Sequence, residues 1–200
     1  MDEFVALVPI TVVAAVLLFI LKEAVEAVRR HRGDSRKMHA LKALLARECE
    51  LNLWTIKALR DILINVPKPD DERPQTVVRI ERRTNGSTIA LISSADGALR
   101  SSRSLPKAHL DLMSKYLLDV ATLDSKLFQA LETAYDSVAE LEHIRESLVR
   151  IHESEEEAKM PDLIRPFAEY ALDEIERTEL AIAALYKHCT GKKLEAHRLR

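Results

Sequence analysis

The side chains with the most capacity for chemistry lie between Glu140 and His152. Glu140-Leu141-Glu142-His143 holds one Glu-x-x-His. A carboxylate-bridged di-iron bundle needs two such motifs and two further inward glutamates. Here Leu141 takes the inward position, so Glu140 and His143 flank it on a solvated face, and no metal is expected. Arg145 and His152 are placed differently. They are seven residues apart, two turns along one helical face, in the register of Leu141 and Leu148, where an apolar residue belongs. A third group is basic. Arg79, Arg82, Arg83, Arg100, Arg103 and Lys107 face only Glu81 and Asp96 in sequence, and Arg29, Arg30 and Arg32 stand close to Arg36 and Lys37. These arginines are candidates for lipid-headgroup or phosphate contact, although no aromatic residue is interleaved to stack bases. With four scattered glycines, no phosphate-binding loop can be written. There is no HExxH, no CxxC and no serine nucleophile elbow, and no cofactor is expected. Cys49 and Cys189 form no paired spacing, which fits two packed thiols in a reducing compartment.

The run Arg145-Glu146-Ser147-Leu148-Val149-Arg150-Ile151-His152 is an Arg-x6-His. It resembles the Arg-x4-6-His motif of the HEPN superfamily, helical-bundle domains that include metal-independent ribonucleases. The resemblance implies that Arg145 and His152, from paired subunits, activate a ribose 2'-OH and stabilise the scissile phosphate of RNA. The family often has Asn, Asp or His directly after the arginine, and this chain has Glu146. The structural alternative pairs Arg145 with an acid such as Asp124 or Glu48 between helices and leaves His152 exposed near a helix end.

Several elements must position these groups. Residues Phe4–Leu21 carry no charge, and as a helix they span about 27 Å, close to a hydrocarbon core of roughly 30 Å. They read as a single-pass transmembrane helix. The Lys and Arg excess after Leu21 then puts the short N-terminus outside and the rest on the cytoplasmic side of the cell (inner) membrane. Gly33 reads as a helix stop with Asp34 or Ser35 as the next cap, a continuous helix being the alternative. A helix over 35–66 follows, with Leu41, Leu44, Leu45, Leu51, Ala58, Leu59 and Ile62 as its apolar stripe and Glu48, Asn52 and Thr55 on or beside it. Trp54 lies off its centre. Pro67, Pro69 and Pro74 with Asp70, Asp71 and Glu72 make a stiff linker.

Asn85-Gly86 between two β-branched runs predicts a hairpin with a two-residue turn. Thr84 then faces Ser87, Ile80 faces Leu91, Arg82 faces Ile89, and Val78, Ile80, Ile89 and Leu91 share a face. Residues 94–104 read as a polar loop, and Ser104 or Leu105 as the cap of a helix with Pro106 in its first turn. The stripe Leu110, Met113, Leu117, Val120, Leu127, Leu131, Ala134, Val138, Leu141 and Leu148 then runs on, interrupted only by Asp124, Arg145 and His152. Unbroken, that helix would be about 75 Å long, so a break is expected near Thr122–Ser125, or else a protruding coiled coil. An acidic turn at Glu153, Glu155, Glu156 and Glu157 leads to a last helix, Pro166 to about Cys189, ended by Thr190-Gly191.

The fold expectation is mainly α: an N-terminal transmembrane helix and a three- to four-helix antiparallel bundle with one inserted β-hairpin. The organisation is an anchor and basic helix over 1–32, a first bundle helix over 35–66, a linker with hairpin over 67–104, remaining helices over 105–190 and a basic tail over 191–200. A net charge of -2 gives no overall pull toward nucleic acid or acidic lipid. The functional expectation is a membrane-tethered, non-enzymatic helical interaction or scaffold domain that forms a homo-oligomer, contacts membrane lipids and binds another protein. The alternative is a membrane-anchored HEPN-like RNase or defence effector using Arg145 and His152, with RNA as partner.

Overall fold

The computed structural model of the protein describes residues 10–66, 76–153 and 160–195, with side chains over 12–66, 76–151 and 166–195. The proline linker, residues 4–9 of the apolar run, the acidic turn after Glu153 and the last five residues of the basic tail lie outside the described residues. The chain divides into two compact units, Met1–Leu41 and Lys42–Arg200.

In the first unit, helix α1 (Ile10–Leu63) is continuous through the unit's end, and Gly33 does not stop it. Gly33 lacks the positive φ of a C-terminal glycine, and its Cα faces open space. The expected transmembrane span is not supported: no helix among the described residues is long and apolar enough to cross a membrane. Lys22, Glu23 and Glu26 follow Leu21 at once. The single-pass topology, the outside N-terminus and the inner-membrane placement rested on that span and fall with it.

The second unit is mainly helical. The remainder of α1 buries Leu45, Cys49, Leu53, Ile56, Leu59 and Ile62. Its buried face is turned slightly from the expected stripe, so that Leu44 is exposed while Glu48, Asn52 and Thr55 lie fully inside. Helix α2 (Asp111–Leu123) and helix α3 (Ser125–Glu153) are separated at Asp124, whose extended backbone (φ -153°, ψ 101°) breaks the long stripe within the expected interval. The Asp124 carboxylate then accepts from the amides of Lys126 and Leu127 at 3.1 and 3.0 Å, so one residue ends α2 and caps α3. Helix α4 (Met160–Thr190) carries Pro166 inside it and starts before the expected Pro166. It ends at Gly191 (φ 70°), whose amide donates to the Lys187 carbonyl at 2.8 Å, the left-handed C-terminal stop that glycine permits.

Contacts fix the directions. Tyr170 meets Glu140 and Thr178 meets Ser137, so α4 runs antiparallel to α3. Glu50 meets Tyr186 and Arg60 meets Glu179, so α4 is antiparallel to this part of α1 as well. The core between them is Leu127, Leu131, Ala134, Val138, Leu141, Ile144 and Leu148 of α3 with Ala171, Ile175, Ile182 and Leu185 of α4. The predicted apolar members of the α3 register, Leu127 to Leu148, are all buried.

The expected hairpin is a three-stranded antiparallel sheet in the order β1 (Thr76–Arg82), β2 (Thr88–Ser94), β3 (Leu99–Ser104). Its first register differs by one residue from the expectation: Ile80 pairs with Ala90, Arg82 with Thr88 and Glu81 with Ile89. The turn explains this. Arg83 donates to Ser87 and Gly86 donates back to Arg83, enclosing the three residues Thr84, Asn85 and Gly86. Only Gly86 has positive φ, whereas a two-residue type I′ turn needs it at both Asn85 and Gly86. Val78, Ile80, Ala90 and Ile92 therefore share the inward face. The same device recurs at Ser94–Ala98, where Asp96 accepts from the Ala98 amide at 3.1 Å and from the Ser94 hydroxyl, and Gly97 has φ 85°. It builds β3 from residues expected to be loop. Strand β3 (LRSSRS) has no apolar alternation because it is an exposed sheet edge, the place where charged and polar residues discourage further pairing.

Candidate functional site

Arg145 and four other buried or half-buried polar side chains converge on one stretch of main chain, residues 105–113, from the end of β3 into the first turn of α2. Expected to be helical from Pro106, this stretch does not enter a helix until Asp111, its main-chain groups being taken by side chains instead of by a helix ladder. Three α1 residues spaced four and three apart supply one side. Glu48 accepts from the Leu112 and Met113 amides at 2.8 and 2.7 Å. Asn52 donates to the His109 carbonyl at 2.7 Å and accepts from the His109 amide at 2.8 Å. Thr55 donates to the Lys107 carbonyl at 3.2 Å. Helix α3 supplies the other side. Glu142 accepts from the Ala108 amide at 2.7 Å and from Arg145 Nη1 at 3.0 Å. Arg145, 6% exposed, also reaches the Leu105 carbonyl and the Thr88 hydroxyl, each at 3.5 Å.

Glu48 replaces a missing cap. Leu110 stands at the N-cap of α2 and has no side-chain oxygen to offer, so the first-turn amides would be orphaned. A carboxylate from α1 takes them, where the helix dipole favours negative charge. Burial raises the Glu48 carboxyl above the usual carboxylate range, with the two amides pulling the other way.

The expected partners of Arg145 are thus corrected. It pairs with Glu142 on its own helix, whereas Asp124 faces Lys42 at 3.6 Å and Glu48 caps α2. His152 lies in α3, and its side chain is outside the described residues. Glu146 and His143 are exposed, and Glu140 accepts from the Tyr170 hydroxyl at 2.6 Å, which raises the phenol to about 12. No group of three metal-ligating residues occurs among the described residues. Burial pushes the Cys49 thiol far up and the Cys189 thiol to about 11, so neither is a thiolate nucleophile at neutral pH.

The basic candidates Arg29, Arg30, Arg32, Arg79, Arg82, Arg83, Arg100, Arg103 and Lys107 are all exposed. Arg29, Arg32 and Arg36 line one side of α1 with Val25 and Val28, and Arg30 pairs with Glu26 at 3.3 Å. On the sheet, Arg79 and Arg82 project from opposite faces, so these residues do not form one patch. Arg103 approaches Asp61 at 4.0 Å. The sequence marked Glu48, Asn52 and Thr55 as polar intrusions on an apolar stripe. Their role was missed because their partners lie more than 50 positions away. Glu142 was missed because it stood only at an unassigned position inside Glu140-x-x-His143. Comparison of the chain with protein-family models, curated proteins and solved structures finds no match.

Proposed function

We propose that the protein acts by binding, not by catalysis, as a helical interaction module that self-associates through the N-terminal half of α1. One observation carries this reading. Val12, Val13, Val16, Leu17, Leu18, Phe19, Ile20, Leu21, Val25 and Val28 are each about half exposed or more. Scattered exposed apolar residues are ordinary, whereas a contiguous set marks a contact surface. Full burial of one such side chain contributes about 1.5–3 kcal/mol. With about half of each side chain still to be covered, burial of the whole set would contribute roughly 8–15 kcal/mol, against an association cost of roughly 4–15 kcal/mol. The stripe runs on every side of the helix, which favours several copies over a simple pair.

The HEPN-like ribonuclease reading rests on Arg145 and His152. The commitment of Arg145 to Glu142 and to main-chain oxygens counts against it, because a phosphate-binding arginine must be open to its substrate. Sedimentation velocity on the full chain tests the interaction reading. Wild type is expected to sediment as an oligomer, and the Leu17→Lys, Ile20→Lys variant as a monomer of unchanged helix content. A wild type monomeric at tens of micromolar would overturn self-association, and uptake by phospholipid vesicles in its place would give the surface a different partner.

A further inference from the structure

The amides of Ala108, His109, Leu112 and Met113 all donate to side-chain oxygens of other elements. From this we infer that residues 105–113 form a clasp, one cooperative segment that opens from α1 and α3 without unfolding of the bundle. Three features of the contacts carry the inference.

The first is that the anchors read main chain only. Glu48, Asn52, Thr55 and Glu142 bond backbone atoms of the segment, and the side chains of Lys107 and His109 point to solvent. The second is that most anchors hold two groups at once. Asn52 holds both main-chain atoms of His109, Glu48 holds two successive amides, and Glu142 holds Ala108 together with Arg145. Loss of any of these three releases two bonds, and an unpaired buried polar group left behind is costly, so the segment leaves as a unit. The third is that the rest of the bundle has its own support. Helices α3 and α4 pack through apolar side chains and the Thr178–Ser137 bond, none of which involves the segment. The segment is pinned at its ends by Leu105 and Met113, both buried, while residues 106–112 between them are half-buried or exposed. Opening would uncover Glu48, Asn52, Thr55 and Glu142, groups that hold main-chain amides and carbonyls whatever the side chains between them.

Native-state hydrogen exchange on the full chain, read amide by amide by NMR, tests the clasp. The four amides are expected to exchange with one common rate, at least about tenfold faster than Val138 and Ile175 in the core. Ile175→Val, which removes core packing that the open segment leaves intact, should accelerate Val138 and leave the four amides unchanged. Asn52→Ala should accelerate all four together by about tenfold, as expected for two net hydrogen bonds. Thr55→Val should do the same to a smaller degree, and Lys107→Ala nothing. Exchange of the four amides at the core rate would overturn the clasp. So would acceleration of His109 alone in Asn52→Ala, or acceleration of the four amides together with Val138 in Ile175→Val.

Discussion

Glu48 and Asp124 are carboxylates at the two ends of α2, and their surroundings shift them in opposite directions. Glu48 is almost completely buried and raised by desolvation. Asp124 is about one-third exposed and lowered, chiefly by the Leu127 amide and then by Lys42. A lowered acid contributes stability that is present above its unfolded value, near 3.9, and lost as pH falls through the folded value. Asp124→Ala should therefore cost about 1 kcal/mol at neutral pH, and the difference from wild type should vanish well below pH 4, as read by urea titration at several pH values. Glu48→Gln should cost about 1–3 kcal/mol, since one amide oxygen cannot serve both N–H groups and the new NH2 faces a donor. The positions of these residues were legible in the sequence: Asp124 as a gap in a stripe, Glu48 as an intrusion on one. Their partners were not, because periodicity reports which face a residue occupies and not what chain returns to meet it.

The helices of the second unit follow their apolar spacing closely, because each buries a long stripe that no other register would cover. The sheet was less legible. Asn85-Gly86 correctly marked a turn, but the choice between two- and three-residue loops depends on the φ of Asn85, which composition does not set. The resulting slip places Ile80 opposite Ala90, and Ile80 is 8% exposed. Ile80→Lys should cost about 2–4 kcal/mol through lost burial and a stranded charge, with thermal melting of the full chain as the check. An unchanged melting temperature would mean that this face of the sheet is not buried. Strand β3 carried no alternation to read, and only Asp96-Gly97 announced it.

For the whole molecule, the account is that buried polar groups serve the fold and that function lies in binding. The apolar stretch of α1 was visible at once. Its reading as a membrane span is not supported, since no helix among the described residues is long and apolar enough to cross a membrane. The candidate catalytic pair was half legible: an arginine in a core register must either do chemistry or hold structure, and its contacts with Glu142, Leu105 and Thr88 were beyond sequence reading. The most direct measurement follows thermal melting and cleavage of labelled single-stranded RNA together, in the wild-type chain and in Arg145→Ala and His152→Ala. The account predicts no cleavage by the wild type and a loss of about 3 kcal/mol in Arg145→Ala, the lower end for breaking a buried ion pair. Cleavage by the wild type that disappears in both variants, with melting unchanged, would contradict it.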